Sequence, residues 1–395
     1  MNGFTTRALI MDENEVNILN PAKIASRDIA AIYPAYESAQ GITICWNIGK
    51  RCNYACSYCG KELHDWTSPD RTFEQLVKAW LRLKAAVKPS GGTSRLLFTG
   101  GEPTLNPDFS RFVEFLSQTQ RQWVKLIGVT TNGSEGFEYY DALLQNIDSI
   151  TFSTHFEWWD ENEFMTLLLD IWRRSGKNRT GKWISVNLMF EKWASSGIQK
   201  IRNVLMQEDI PWTSYKVMNV YGSKGITNKH GKSFDYSDYL CSRGEAVQSE
   251  ARVAISTDNL TEVLLEDIQI GKNLDLDVIL KDGSVWKADS LQMLNFGLAN
   301  FPGWECHVHK SLYIHNDGVL WAGNCKFQKL GNVYETIKPL LGPVICDGRL
   351  CICTIDIQIE KHNRSPGKEI DVPLYFRREW LDRDPKNQPR TTGIG

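Results

Sequence analysis

No apolar run in the 395 residues approaches the roughly 20 needed to cross a bilayer, so no transmembrane helix is expected. Charge of one sign is also lacking. With 45 Lys and Arg against 47 Asp and Glu, nothing electrostatic favours a long polyanion as the main partner. The N-terminal stretch "MNGFTTRALIMDENEVN" is not a secretory signal, because its short apolar patch runs into acids. Internal repeats and low-complexity tracts are absent. Ten cysteines in a chain without a signal argue for reduced thiols or metal ligands rather than disulfides, and the cytoplasm is the expected location. The 14 tryptophans read as packing bulk.

From residue 41 onward, strand and helix patterns alternate. Strands are expected at 42–48, 94–100, 124–133, 149–154, 183–190 and 213–221. Helices are expected at 72–89, 107–120, 136–146, 161–176 and 197–210, the first capped by Thr72. Six such units imply a parallel sheet with crossover helices, and parallel β/α barrels place their chemistry on loops at the C-terminal ends of strands. After residue 221 the pattern changes. Hairpins are expected at 277–288, turning at Asp282-Gly283, and at 311–325, turning at Asp317-Gly318. The expected layout is an N-terminal extension (1–40), a barrel (41–221), a linker with a hairpin (222–300), a β-rich cysteine module (301–362) and a polar tail (363–395).

"RCNYACSYCG" (51–60) follows the first strand and places Cys52, Cys56 and Cys59 in a C-x3-C-x2-C spacing. With His64 as fourth ligand this set offers a zinc site. Alternatively, three thiolates hold a [4Fe–4S] cubane with one iron left open. "FTGGEPTL" (98–105) follows the second strand. Gly100 and Gly101 allow close backbone approach, and Glu102 supplies a carboxylate suited to an ammonium group. "TTNGS" (130–134) follows the third strand and brings Asn132. These three turns lie on consecutive strands and surround one volume.

C-x3-C-x2-C with Tyr58 before its last cysteine, followed by Gly-Gly-Glu-Pro after the second strand, resembles the radical S-adenosylmethionine (SAM) superfamily. The resemblance covers roughly residues 40–220 and implies a partial (β/α)6 TIM-like barrel within an α/β fold. It implies that Cys52, Cys56 and Cys59 ligate three irons of a [4Fe–4S] cluster, while SAM chelates the fourth and is reductively cleaved to a 5′-deoxyadenosyl radical. It also implies SAM contacts at Gly100, Gly101 and Glu102, an adenine contact beside Tyr58, and ribose contacts at Ser153 and at Asn132 or Asn187. A reductant such as flavodoxin or ferredoxin is the expected electron donor.

Cys306, Cys325, Cys346, Cys351 and Cys353 form a second set. The hairpin, Cys325, "LGNV" and an expected following helix resemble the auxiliary-cluster modules called SPASM and twitch. Five cysteines imply one auxiliary [4Fe–4S] cluster with one thiol to spare, Cys351 or Cys353. A structural zinc is the alternative, which His307 and His309 could join.

His155 and Glu157, in "STHFEWWDE" after the fourth strand, are candidate catalytic or substrate-contacting groups. Cys45 reads as a small buried hydrophobe, and Cys241 as a packed thiol or a hydrogen-atom donor. Forty residues before the barrel are few for a leader-binding domain. The expected substrate is therefore a small molecule, or a peptide whose leader a partner recognises. Modification of a nucleotide or nucleic acid is one alternative, and a non-catalytic iron–sulfur or zinc protein another.

Overall fold

A computed structural model describes residues 26–35, 41–56, 59, 64–87, 94–175, 181–190, 195–216, 276–288, 290, 293, 298–338, 342–347, 351 and 353–364. Tyr58, Cys241 and the tail from 365 lie outside them. Strand β1 (Ile29–Pro34) precedes β2 (Ile42–Asn47), α1 (Phe73–Val87), β3 (Ser94–Thr99), α2 (Phe109–Thr119), β4 (Val124–Thr131) and α3 (Phe137–Leu144). Then come β5 (Ser149–Ser153), α4 (Glu161–Ser175), β6 (Trp183–Phe190), α5 (Ser195–Gln207) and β7 (Trp212–Lys216). The C-terminal part supplies β8 (Leu276–Leu280), β9 (Val285–Ala288), β10 (Glu305–Cys306), β11 (Ser311–Ile314), β12 (Val319–Ala322), β13 (Gln328–Asn332), β14 (Val344–Ile345) and β15 (Lys361–His362).

β2 to β7 pair in parallel and in sequence order, as the alternation predicts, with a helix crossing over between each pair. The sheet is open: β7 ends one edge and β13 the other. Every residue of β2, "ITICWN", is buried, as expected for a strand covered on both faces. Helix α1 buries Leu76, Ala79, Trp80, Leu83 and Val87, which share one face at helical spacing. It starts with a reciprocal cap, in which the Thr72 N–H donates to Gln75 Oε1 at 3.0 Å and the Gln75 N–H to Thr72 Oγ1 at 3.4 Å. Under the strand ends Trp46 meets Phe112 edge-on at 5.7 Å, and Phe98 meets Phe109 edge-on at 5.5 Å.

The C-terminal strands divide between two sheets. β11 pairs in parallel with β2, Ser311 opposite Thr43 and Ile314 opposite Trp46, and its hairpin with β12 and β13 extends the main sheet. Asn47 Nδ2 donates to the Tyr313 hydroxyl at 2.9 Å across this seam. β10, β14 and β15 instead join β1, β8 and β9 in a six-stranded sheet whose pairs are antiparallel. The helix expected after "LGNV" is not formed at 333–338. Those residues turn back, Ile337 bridges Gly331, and the Lys338 N–H donates to the Leu330 carbonyl at 2.7 Å. The adjoining strand hydrogen bonds satisfy backbone groups that a helix would have taken inward. No helix among the described residues is long and apolar enough to cross a membrane.

Trp80 is 1% exposed, and its indole N–H donates to Gln120 Oε1 at 3.2 Å. Trp80→Ala is expected to cost about 3–5 kcal/mol, and Trp80→Phe less, read as unfolding midpoints in denaturant.

Candidate functional site

The cysteine loop is pinched at its neck. The Cys52 N–H donates to the Asp65 carbonyl at 2.8 Å, and the Asp65 N–H to the Lys50 carbonyl at 2.9 Å. The Asp65 carboxylate then caps the next turn, accepting from the Ser68 N–H at 2.7 Å and the Thr67 N–H at 3.1 Å. Together with the Ser68 hydroxyl these bonds hold its pKa down to about 2.

Gly100 and Gly101 are required by this loop. A Cβ on Gly101 would lie 2.2 Å from the Arg51 carbonyl oxygen, and one on Gly100 2.7 Å from that of Gly49, where φ is +150°. The turn after β3 therefore slides under the neck, with the Gly101 N–H donating to Gly49 O at 3.0 Å and the Glu102 N–H to Arg51 O at 2.8 Å. Glu102 is 4% exposed and faces inward. Its Oε1 accepts from Thr104 N at 3.1 Å, Thr104 Oγ1 at 2.8 Å and Thr131 Oγ1 at 2.8 Å, and its Oε2 from the Asn132 N–H at 2.6 Å. Burial pushes its pKa up, and these four donors pull it back.

Asn132 reaches from this turn to the cysteine loop, donating from Nδ2 to Asn53 Oδ1 at 2.9 Å and lying 4.0 Å from Cys52 Sγ. Cys52 and Cys56 are buried, and Cys59 is half-buried. Burial pushes the Cys52 thiol up to about 11. Such thiols are poor nucleophiles, and a metal is the natural agent to draw them into thiolates. Among the described residues the sole His, Cys, Asp and Glu group with donor atoms all within 4.8 Å excludes these thiols. Three thiols on one loop are a donor set that an iron–sulfur cubane accepts, since its irons each take a separate outer thiolate. The donor set thus fits an iron–sulfur cluster.

His155 lies against this loop. Its Nδ1 is 3.4 Å from Cys56 Sγ, and burial holds its pKa down to about 4. Glu157, two residues further on, is 1% exposed. Ser153 and Asn187 face each other on β5 and β6, with Asn187 Nδ2 donating to Ser153 Oγ at 3.3 Å. An aromatic wall closes this side: Tyr54 stacks on Trp158 at 6.0 Å and meets His155 edge-on at 5.8 Å, and Trp66 packs on Trp158 at 6.3 Å. Composition alone had assigned these tryptophans to bulk packing. The usable signal was Tyr54, which stands between two of the thiols.

Among the later cysteines, Cys325 is hydrogen-bonded to a buried aspartate. Asp356 accepts from Ser311 Oγ at 2.8 Å, the Asn324 N–H at 3.0 Å and the Cys325 N–H at 2.7 Å. Cys306 is buried, Cys346, Cys351 and Cys353 are half-buried, and Cys325 is exposed. Burial lifts Cys306 to about 11 and Cys353 to about 12. Cys45 is buried as expected, and Asn324 Nδ2 lies 3.8 Å from its sulfur. None of the nine described cysteines is in a disulfide.

Residues 46–178 match the family model described as the Radical SAM superfamily. The chain is 37% identical over 87 residues to a GTP 3′,8-cyclase of Haemophilus ducreyi, covering 22% of this chain and 24% of that protein. It is 32% identical over 114 residues to an S-adenosylmethionine-dependent nucleotide dehydratase of Selenomonas ruminantium, covering 26% of this chain and 38% of that protein. The matched part therefore spans well under half the length of these curated relatives. Among solved structures, anSMEcpe with bound AdoMet has a TM-score of 0.47 at 14% identity, covering 75% of this chain and 76% of that one.

Glu102→Ala would remove the acceptor of the buried Thr104 and Asn132 donors, while the Thr131 hydroxyl keeps the Tyr140 hydroxyl at 3.0 Å. It is expected to cost roughly 2–4 kcal/mol, and Glu102→Gln somewhat less, both read by thermal unfolding of the metal-free protein. The matched segment holds the cysteine loop and both of its supporting turns, and residues 46–178 are a radical SAM superfamily domain.

Proposed function

We propose that this chain is a radical SAM enzyme acting on a small molecule or peptide. The observation that carries the reading is the pinned loop of Cys52, Cys56 and Cys59, held over the Gly-Gly-Glu turn by backbone bonds and by Asn132. When bound, the cluster and SAM supply a one-electron cleavage that yields a 5′-deoxyadenosyl radical, which takes a hydrogen atom from the substrate. The chain's own residues bind and shield. Cys52, Cys56 and Cys59 ligate iron. His155 beside Cys56 and the Tyr54–Trp158 wall exclude water from the cluster, which tunes its potential. Glu102 acts first by holding the Asn132 turn, and the face of Oε2 left by its single bond is available to the SAM ammonium.

His155 in this reading serves the cluster rather than acid–base chemistry on substrate, because its ring is committed to the Cys56 side. Gly100, Gly101, Ser153, Asn187 and Tyr58 are proposed to line the SAM pocket. Cys306, Cys325, Cys346, Cys351 and Cys353 are proposed to hold an auxiliary [4Fe–4S] cluster that takes an electron from the substrate radical or binds substrate. A nucleotide substrate is the second reading. It is favoured by the curated relatives, whose names are those of a GTP cyclase and a nucleotide dehydratase.

Anaerobic reconstitution tests the reading. Wild type should take up about eight irons and the Cys52/Cys56/Cys59→Ala triple variant about four. Only wild type should form 5′-deoxyadenosine from SAM under strong reduction. Zinc in place of iron, or equal iron in both proteins, would overturn it.

A further inference from the structure

The group of donor atoms that does converge to the spacing of a single ion lies away from the thiol loop. One ligand atom from each of Glu305, His307 and His362 lies within 4.8 Å of the other two. The strand register explains how they meet. Glu305 pairs with His362, and Cys306 with Lys361. The His307 N–H donates to the Glu360 carbonyl at 3.1 Å, which carries the same ladder one step further.

Side chains alternate across a strand. Cys306 and Lys361 therefore face one side, where both are buried. Glu305, His307, Glu360 and His362 face the other and are partly exposed. "ECH" and "EKH" are antiparallel copies of one idea: a charged or ligating residue, a buried residue, a ligating residue.

The distances resemble a coordination shell and its support. His307 Nε2 is 3.6 Å from Glu305 Oε1, close to the edge of about 3.4 Å implied by metal–ligand bonds near 2.0–2.1 Å. His307 Nδ1 is 3.5 Å from Glu360 Oε2, and His362 Nε2 is 3.1 Å from Glu360 Oε1. Glu360 thus stands where an outer carboxylate orients a ligating imidazole. Two cations hold the carboxylates from outside, Arg364 at 3.4 Å from Glu305 and Lys310 at 2.9 Å from Glu360. The Tyr33 ring packs edge-on against His362 at 5.5 Å, so β1 also abuts the group.

We propose that Glu305, His307 and His362 bind a zinc ion on the face of the β10–β15 ladder opposite Cys306. Two imidazoles and one carboxylate suit zinc, whereas calcium and magnesium seek oxygen shells. Glu360 is a positioning residue for His307, and water completes the shell. The ion clips the 305–307 segment to the 360–362 segment and holds shut the ladder that carries Cys306. This site shares no ligand with the thiols.

The test uses the full chain with its thiols loaded anaerobically with iron, washed with chelator, equilibrated with Zn²⁺ and desalted. Wild type should retain one zinc more than His307→Ala/His362→Ala, with iron equal in the two. His307→Gln/His362→Gln, which keeps side-chain bulk, should lose the same ion and guards against misfolding of the alanine variant. Glu360→Gln should weaken zinc binding about 10- to 100-fold. Co²⁺ in place of zinc should give visible bands without thiolate charge transfer, absent from both double variants. Equal zinc in wild type and both double variants, or a thiolate cobalt spectrum that survives in them, would overturn the proposal.

Discussion

The carboxylate of Glu102 is the point on which the candidate site turns. It is buried, and it collects donors from its own turn and from the end of β4. A buried charge of this kind persists only where its lone pairs are met, so the two turns are fixed relative to each other to within hydrogen-bond tolerance. The glycines before it let this unit fit beneath the neck of the cysteine loop, and Asn132 ties the far side. Turns from three strands are thereby tied to one another by hydrogen bonds, as precise placement of a bound group needs.

The main sheet was legible in the sequence because its signals are local. Hydrophobic period, caps and turn glycines recur within windows of about 15 residues, and β2 to β6 fall within a few residues of their expected bounds, while the expected end of β7 lies outside the described residues. The thiol loop was legible for the same reason, its ligands lying within eight positions. The role of Gly100 and Gly101 was only half visible. Absence of a side chain signals close approach, but not that the approaching group is the backbone of residues 49–51. His155 was found by its position after a strand, while its contact with Cys56 depends on a loop 99 residues away.

The C-terminal part was less legible because its partners are distant. Nothing local to "SLYI" says that it pairs in parallel with "TICW", or that β1 will sit between β8 and β15. The expected helix after "LGNV" failed for a related reason, since the strand bridge at Gly331 claims those residues. Likewise, His307 and Cys306 are neighbours in sequence, yet the pleat sends them to opposite faces, so one metal cannot readily use both.

The pairing of β2 with β11 has a consequence for the chain's birth. β2 is the most completely buried strand of the barrel, and one of its two edges is closed by a partner whose Tyr313 lies 266 residues beyond Asn47. On the ribosome, that apolar edge emerges long before anything native can cover it. The parallel strands β2 to β7 are complete in sequence by β7, but the sheet is still open along β2. Nascent chains stalled before residue 311 should therefore keep that edge exposed, and a segment made much later seals the first strand of the sheet.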